Sequence, residues 1–192
     1  HRIARRQRQM CIRDSYYFDI DSGENSLFYG EKNPEENYSL SFVGEENTPL
    51  IRVINGSEEE NHYIIKRGDV WELATPKNIA SFDYQDNDEE GLFFLTNFEA
   101  PNYRLVKILY TGEVVEIIPE TDLALKSISI LDDFIITNSI NTDMNSMVEF
   151  YSKDGELLDY KIPDDIEGTL SSFSMYKDLS LIHISEPTRR AI

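Results

Sequence analysis

The sequence has few of the residue types that most catalytic and metal sites need. Its 192 residues include one cysteine and three histidines. A single cysteine argues against a disulfide framework and against a cysteine-ligated metal. Basic residues are also scarce, with 18 Lys and Arg against 36 Asp and Glu, a formal net charge of −18. Nucleic acids and anionic membranes are bound by clustered Lys and Arg, so neither is expected as a partner.

Long apolar runs are absent as well. No run approaches the roughly 18 residues that a membrane-spanning helix needs. The chain nevertheless has 40% hydrophobic and 11% aromatic residues, which is enough to build a core. The composition therefore predicts a globular domain.

The two ends differ in composition from the middle. Residues 1–14 hold five arginines in an otherwise acidic chain. Residues 10–14 are what ATG TGT ATA AGA GAC encodes, and the reverse complement of that DNA, extended by two bases, encodes residues 179–184. This inverted repeat resembles a transposon-end adapter of sequencing libraries. We therefore interpret 1–14 and 179–192 as adapter-derived and 15–178 as native; the alternative is a native basic arm and apolar tail.

The native part on this interpretation has 11 basic and 34 acidic residues, a net charge of −23, and no cysteine. Its single histidine, His62, cannot supply a two-histidine zinc site. We expect no metal and no cofactor. The adapter interpretation also removes the native N-terminus, so the compartment stays open, with the cytoplasm favoured.

The middle of the chain predicts an all-β fold. No window of 12 or more residues keeps a helical apolar stripe. Short segments rich in Tyr, Phe, Ile and Val alternate with Gly, Pro, Asn and Asp, which is typical of strands joined by turns. The predicted strands are 16–20, 26–29, 38–43, 50–54, 62–65, 70–73, 79–84, 92–96, 103–110, 114–118, 125–131, 134–137, 147–151, 157–162 and 169–173.

An internal repeat indicates how these strands are organised. Residues 93–97 (FFLTN) return as 134–138 (FIITN), 111–115 (TGEVV) as 154–158 (DGELL), and 118–120 (IPE) as 162–164 (IPD). The offsets of about 41 to 44 residues match one four-stranded blade of a β-propeller. A β-sandwich is the alternative. Three to four blades fit into 15–178, which predicts an incomplete propeller with uncovered faces.

Several of these residues resemble one family. The run WEL at 71–73, FDY at 82–84, LFFLTN at 92–97 and APNYRLV at 100–106 is similar to the N-terminal propeller of the prolyl oligopeptidase family of serine peptidases. The resemblance is strong from about residue 70 to 164 and weak before it. Residues 16–65 fit as one further blade. The resemblance implies a propeller of the seven-bladed type, present here in part.

The resemblance also implies an enzyme whose catalytic part lies elsewhere. In this family an α/β-hydrolase domain follows the propeller and carries Ser, Asp and His in that order. The sequence contains no Gly-x-Ser-x-Gly motif, and His62 cannot be the last member of such a triad. We therefore assign no catalytic residue and expect the chain alone to be inactive. The expected partners are the missing C-terminal hydrolase domain of the same polypeptide and a short peptide substrate.

In this family the propeller acts as a lid that admits short peptides, so some of its residues face the substrate cavity. Asn138 and Ser139 are candidates, because the resemblance implies that 134–139 is an inner strand of its blade; the alternative is that both are ordinary strand-end residues. The family motif is expected to be structural, with turn amides and an arginine paired to an acidic neighbour. Its residues are Asn97, Pro101, Asn102, Tyr103 and Arg104.

Two other functions stay open at this level. The chain could come from a propeller that only binds partners, or from a related oligopeptidase that prefers basic residues to proline. The segment 86–91 (DNDEEG) begins like a calcium-binding loop. Its twelfth position is Asn97 where a Glu is needed, so a solvated hairpin is expected there.

Overall fold

The computed structural model describes residues 15–30, 36–55, 59–141, 145–160, 169–176 and 179–185. Within these residues the regular structure is entirely β, as predicted. Sixteen strands are present, all paired antiparallel. They are β1 (Ser15–Phe18), β2 (Asn25–Tyr29), β3 (Glu36–Val43), β4 (Thr48–Asn55), β5 (Asn61–Arg67), β6 (Val70–Leu73), β7 (Phe82–Asn87), β8 (Gly91–Thr96), β9 (Arg104–Leu109), β10 (Val114–Ile118), β11 (Ala124–Ile130), β12 (Phe134–Ile140), β13 (Ser146–Ser152), β14 (Leu157–Leu158), β15 (Thr169–Tyr176) and β16 (Leu179–Ser185).

The strands form three four-stranded sheets and two hairpins. Blade I contains β3–β6, blade II β7–β10 and blade III β11–β14, and in each sheet the strands lie side by side in chain order. The N-terminal hairpin is β1–β2 and the C-terminal hairpin is β15–β16. Repeated four-stranded meanders of this kind are the blades of a β-propeller.

Blade II is buried on both faces because successive side chains of a strand point to opposite sides. Phe94 of β8 is fully buried in a cluster with Tyr63 of blade I. Its neighbour Phe93 is 4% exposed and lies in a cluster with Ile135 of blade III. Burying one such phenylalanine contributes about 1.5–3 kcal/mol. The alternating strand thus joins three blades into one stack.

The N-terminal hairpin covers the other face of blade I. Phe28 and Tyr29 of β2 make edge-on ring contacts with Trp71 of β6, at centroid distances of 5.5 and 5.1 Å. Tyr29 also packs edge-on against Tyr38 of β3. Strand β2 is therefore anchored, whereas β1 lies farther out.

The sequence repeat coincides with the blade repeat. The two matching Phe-rich segments are β8 and β12, the second strands of blades II and III. Gly112 and Gly155 lie in equivalent turns with φ of 91° and 86°. Each turn closes with backbone hydrogen bonds, such as Leu109 N to Glu113 O at 2.8 Å and Ser152 N to Glu156 O at 2.8 Å. The predicted glycine turns are confirmed.

Some strand predictions differ from the structure. The expectation that 16–65 forms one blade is wrong, because β1 and β2 pair only with each other while β3, β4 and β5 belong to blade I. The strand predicted at 79–84 begins at Phe82, since Ile79 is 53% exposed and Ala80 makes only an isolated bridge to Asn61. The strand predicted at 157–162 ends at Leu158, and its last two residues lie outside the described ones.

Strand β16 lies inside the segment that the adapter interpretation sets aside, so it is absent from the predicted strands. Its backbone pairs with β15 from Leu179 opposite Tyr176 to Ser185 opposite Thr169. Residues 1–14 and 186–192 lie outside the described residues. The adapter origin of both ends stays a prediction.

Candidate functional site

The motif at 97–104 forms the long connection between the second and third strands of blade II. Asn97 Oδ1 accepts a hydrogen bond from Ser81 N at 2.7 Å, and Asn97 N donates to Ser81 O at 3.3 Å. Thr96 Oγ1 also donates to Ser81 O at 2.7 Å. Tyr103 N donates to Ala100 O at 2.8 Å, with φ of 70° at Tyr103. These bonds fix the end of β8 to the start of β7 and tighten the turn before β9.

Asn102 connects blade II to blade III. Its backbone N donates to Glu120 Oε1 at 2.6 Å and its Nδ2 to Thr121 O at 3.0 Å. Its carbonyl oxygen accepts from Leu125 N at 2.9 Å. Pro101, by contrast, is exposed. Three hydrogen bonds across the junction give Asn102 a role in positioning neighbouring blades.

Arg104 begins β9, and its Nη1 lies 2.8 Å from Glu116 Oε2 on the adjacent strand β10. The side chain is 19% exposed, and its Nε is buried with no hydrogen-bond partner among the described residues. The guanidinium therefore lies along the sheet and is held by a carboxylate.

Asn138 and Ser139 lie near the end of β12 and are 5% and 4% exposed. Strand β12 has β11 on one side and β13 on the other. It is therefore an interior strand of its four-stranded sheet. The backbone of Asn138 lies opposite Ser127 and Val148. A role for either side chain in lining a cavity stays a prediction.

An open cleft lies between blades I and II, next to Asn97 at the end of β8. The cleft has a volume of about 460 Å³, and its lining includes Glu59, Glu60, Ser81 and Asn97. The two glutamates give it an acidic rim. In the sequence, the three consecutive glutamates at 58–60 indicate an acidic surface. Only the fold shows that Asn97 lies beside it.

Beside this cleft lies the single histidine of the middle segment. His62 is 4% exposed, and its Nδ1 is 2.7 Å from Asn78 Oδ1. Burial lowers the pKa of His62 below its ordinary value, and the nearby Lys77 adds to this, while Asn78 and Glu36 act in the opposite direction. The imidazole is therefore held in its neutral form.

A buried charge, which sequence reasoning missed, lies at the opposite end of blade II. Lys107 is 7% exposed, and its Nζ lies 2.7 Å from Asp88 Oδ2 and 2.5 Å from Glu90 Oε2. It also lies 5.5 Å from the ring centroid of Phe93. Strand periodicity could have found it, because Lys107 falls on the same face as Leu105.

The contact between Asp88 and Lys107 shifts the pKa of both groups. Burial raises the pKa of Asp88, but hydrogen bonds from Lys107 and two backbone amides outweigh it, so this pKa lies below its ordinary value. Burial lowers the pKa of Lys107, and the bonds to Asp88 and Glu90 reverse the direction, so this pKa is raised. The segment 86–91 is a hairpin tip with exposed carboxylates, as predicted, and two of these, Asp88 and Glu90, also hold the buried ammonium group of Lys107.

The described residues contain no group of three or more His, Cys, Asp and Glu placed to hold a metal ion. They also contain no helix long and apolar enough to cross a membrane.

Three stacked four-stranded sheets, with half a sheet at either end, define an incomplete β-propeller. Comparison with protein families identifies which propeller it is. Residues 16–186 match the family described as prolyl oligopeptidase, N-terminal beta-propeller domain. The chain belongs to this family, as the sequence resemblance predicted.

Individual relatives agree with this assignment. The prolyl endopeptidase of Dictyostelium discoideum is 27% identical over 200 residues, covering 88% of this chain and 26% of the relative. The apo structure of prolyl oligopeptidase B from Galerina marginata matches with a TM-score of 0.73 at 17% identity, covering 90% of this chain and 28% of that one. Oligopeptidase B from Leishmania major matches with a TM-score of 0.52 at 18% identity, covering 69% and 20%. The chain thus spans about a quarter of the length of these relatives.

Proposed function

We propose that this chain is the substrate-gating propeller of a serine-type oligopeptidase whose hydrolase domain follows it in the same polypeptide. The observation that carries the proposal is the family match over residues 16–186. The 26% coverage of the Dictyostelium relative supports the hydrolase part, because it leaves room for a further domain.

The structure offers a physical basis for gating. Blades I, II and III are joined by two continuous apolar clusters and by hydrogen bonds such as Asn102 N to Glu120 Oε1. A close-packed stack of this kind resists deformation. A rigid cover over an active site would exclude folded proteins by size and admit short, flexible peptides.

This chain would not carry out bond cleavage itself. Hydrolysis by a serine peptidase needs a nucleophile, a histidine base and an oxyanion site in one place. His62 is buried against Asn78, and the sequence lacks the nucleophile motif. The part left to the propeller is to select and hold the peptide, with Asn138 and Ser139 as the proposed contacts.

The substrate we propose is a short peptide cleaved after proline. The names of the Dictyostelium and Galerina relatives support proline specificity. The weaker likeness to the Leishmania oligopeptidase B gives no reason to prefer a basic-residue substrate.

Gating is tested on the full-length polypeptide, compared with the same polypeptide lacking its propeller. We expect both to cleave a short proline-containing peptide, and only the shortened form to cleave the same sequence displayed in a surface loop of a folded protein. Equal discrimination by both forms would contradict gating.

A separate test addresses the chain alone. A fluorophosphonate probe, which labels activated serine nucleophiles, should leave the 192-residue chain unlabelled while labelling the full-length polypeptide. Labelling of the chain would show a nucleophile in it and would contradict the proposed division of roles.

A further inference from the structure

The junction between blades II and III is closed by the chain itself. The connection between the second and third strands of blade II comprises residues 97–103. Its Asn102 donates from the backbone N to Glu120 Oε1 at 2.6 Å and from Nδ2 to Thr121 O at 3.0 Å. At this junction a carboxylate of the protein thus holds a backbone N–H group that lies between two blades.

The corresponding junction between blades I and II is open. The connection between the second and third strands of blade I is shorter and comprises residues 56–60. The cleft of about 460 Å³ lies here, and its volume falls within the roughly 300–1,000 Å³ of small-ligand pockets. Its described lining residues are Glu59, Glu60, Ile79, Ala80, Ser81 and Asn97. The cleft therefore has room for a ligand where the next junction is filled by the chain.

The lining of the cleft favours a cationic ligand that can also form hydrogen bonds. Glu59 and Glu60 are exposed, and none of the described lining residues is basic. Asn97 accepts from Ser81 N through its Oδ1 at 2.7 Å, which leaves its Nδ2 as a donor. A ligand with a positive charge and a carbonyl oxygen would match both kinds of group.

A buried amide beside the cleft lacks a partner. Asn61 is 0% exposed; its Oδ1 accepts from Phe82 N at 3.2 Å, and its backbone N donates to Ala80 O at 3.0 Å. The carboxamide therefore lies along residues 80–82, the segment that contributes Ala80 and Ser81 to the lining. Its Nδ2 makes no hydrogen bond among the described residues. Burying a donor without an acceptor is unfavourable, and a ligand carbonyl oxygen at this wall would supply the acceptor.

We propose that this cleft binds the amino-terminal end of a short peptide. The ammonium group is held by Glu59 and Glu60, and a peptide carbonyl oxygen accepts from Asn61 Nδ2. The closed junction shows the same chemistry, because Glu120 there accepts from a backbone N–H group. A free amino terminus is a backbone nitrogen with a positive charge, and charge-assisted hydrogen bonds are stronger than neutral ones.

The place of the cleft agrees with a substrate role. The cleft lies beside Asn97 at the end of β8, the second strand of blade II. Asn138 and Ser139, the proposed peptide contacts, lie near the end of β12, the second strand of blade III. Equivalent strands of a propeller run in the same direction, so these residues lie at the same end of the stack. The inference thus rests on the proposed function, in which the bound peptide is the substrate.

Fluorescence anisotropy with the 192-residue chain tests the cleft directly. The probe is a proline-containing tetrapeptide with a dye at its carboxyl end, used once with a free amino terminus and once acetylated. We expect the free form to bind at least about tenfold more tightly, the effect of one charge-assisted hydrogen bond. In the double variant Glu59→Gln/Glu60→Gln the two forms should bind equally.

The matched control is Glu45→Gln/Glu46→Gln, which removes the same charge from an exposed turn at the other end of blade I. This variant should keep the preference for the free amino terminus. All four glutamates are exposed, so both double variants should fold like the wild type, which circular dichroism checks.

Three results would overturn the proposal. The first is that the wild type binds neither peptide or binds both equally. The second is an equal loss of preference in the two double variants, because the overall negative charge would then be responsible. The third is equally tight binding of an acetylated peptide that carries a lysine, which would exclude recognition of the amino end. The assay involves no hydrolysis, so its outcome is independent of the propeller-deletion experiment that tests gating.

Discussion

Lys107 shows how one residue can decide the packing between two blades. Its ammonium group is enclosed by Asp88, Glu90 and the ring of Phe93, while the two carboxylates are 42% and 74% exposed at their side chains. The carboxylates keep most of their hydration, so the pair does not carry the full cost of a buried ion pair. The stem of Lys107 fills space on the face that packs against blade III.

We predict that Lys107→Ala lowers the free energy of unfolding by about 2 kcal/mol, since both the stem and the charge are removed. Lys107→Met keeps most of the volume and should cost about half as much. Urea unfolding at neutral pH measures both. Equal losses for the two variants would contradict a packing role for the stem.

The pH dependence of this cluster follows from the two shifted pKa values. The pKa of Asp88 is lowered, so its contribution is present above 3.8 and is lost as the pH falls below that value. The pKa of Lys107 is raised, so its contribution is present below 10.5 and is lost as the pH rises past that value. Between these two pH values the contribution of the Asp88–Lys107 pair to stability should be constant.

His62 provides a pH-dependent prediction in the mildly acidic range. Its pKa is lowered in the folded state, so protonation favours unfolding, and stability should fall as the pH drops below 6.5. The variant His62→Gln cannot take up this proton. The midpoint of thermal unfolding should therefore decline less for the variant than for the wild type between about pH 7 and pH 5.5. Parallel pH profiles would show that His62 is not held neutral.

At the scale of elements, the glycine turns determine how closely blades approach. Gly155 lies in the turn between β13 and β14 of blade III, and a Cβ added there would lie 1.9 Å from the carbonyl oxygen of Ile117 in blade II. Gly112 has a similar φ in the equivalent turn of blade II, but a Cβ there would meet nothing within 4 Å. The two positions differ in contact and not in backbone conformation.

This pair gives a matched experiment. Gly112→Ala should cost about 1–2 kcal/mol, the strain of a side chain in the left-handed region. Gly155→Ala should cost at least about 2 kcal/mol more, because the backbone of blade II must also move. Chemical unfolding of both variants gives the difference. Equal costs would mean that the two blades do not approach as closely at this turn.

The strands themselves could be predicted, but their grouping into sheets could not. Aromatic and β-branched residues between Gly and Asn turns locate β8 and β12, and their repeat locates equivalent positions in two blades. The first 50 residues of the middle segment contain no repeat, so their pattern predicts only a single blade. Strands β2 and β3 lie in different sheets, and Phe28 and Tyr29 hold β2 against blade I through Trp71. Such long-range packing leaves no signal in the local sequence.

The same limit applies to the candidate site. The turn chemistry of Asn97 and Asn102 could be predicted from residue type. The pairing of β12 with β11 on one side and β13 on the other could not, because the order of strands in a sheet leaves no signal in the composition of one strand. The burial of Lys107 could not be predicted either, because it depends on blade III covering the face of β9 that carries this residue.

At the scale of the whole molecule, the stack is well packed in its middle and open at both ends. Phe94 of blade II is fully buried, whereas Phe18 in the N-terminal hairpin and Tyr160 after blade III are each 60% exposed. A propeller is stable because each sheet is covered by its neighbours in a closed ring. The exposed aromatics therefore mark where further blades would cover this chain.

Long-read sequencing of the source DNA across residues 15 and 178 tests the central claim most directly. The account predicts that the reading frame continues past 178 into a domain with a Gly-x-Ser-x-Gly motif followed by Asp and His, and that the DNA encoding 1–14 and 179–192 is absent from the genome. A genomic arginine-rich start, together with a stop codon after residue 192, would contradict both the adapter origin of the ends and the gating role in a longer peptidase.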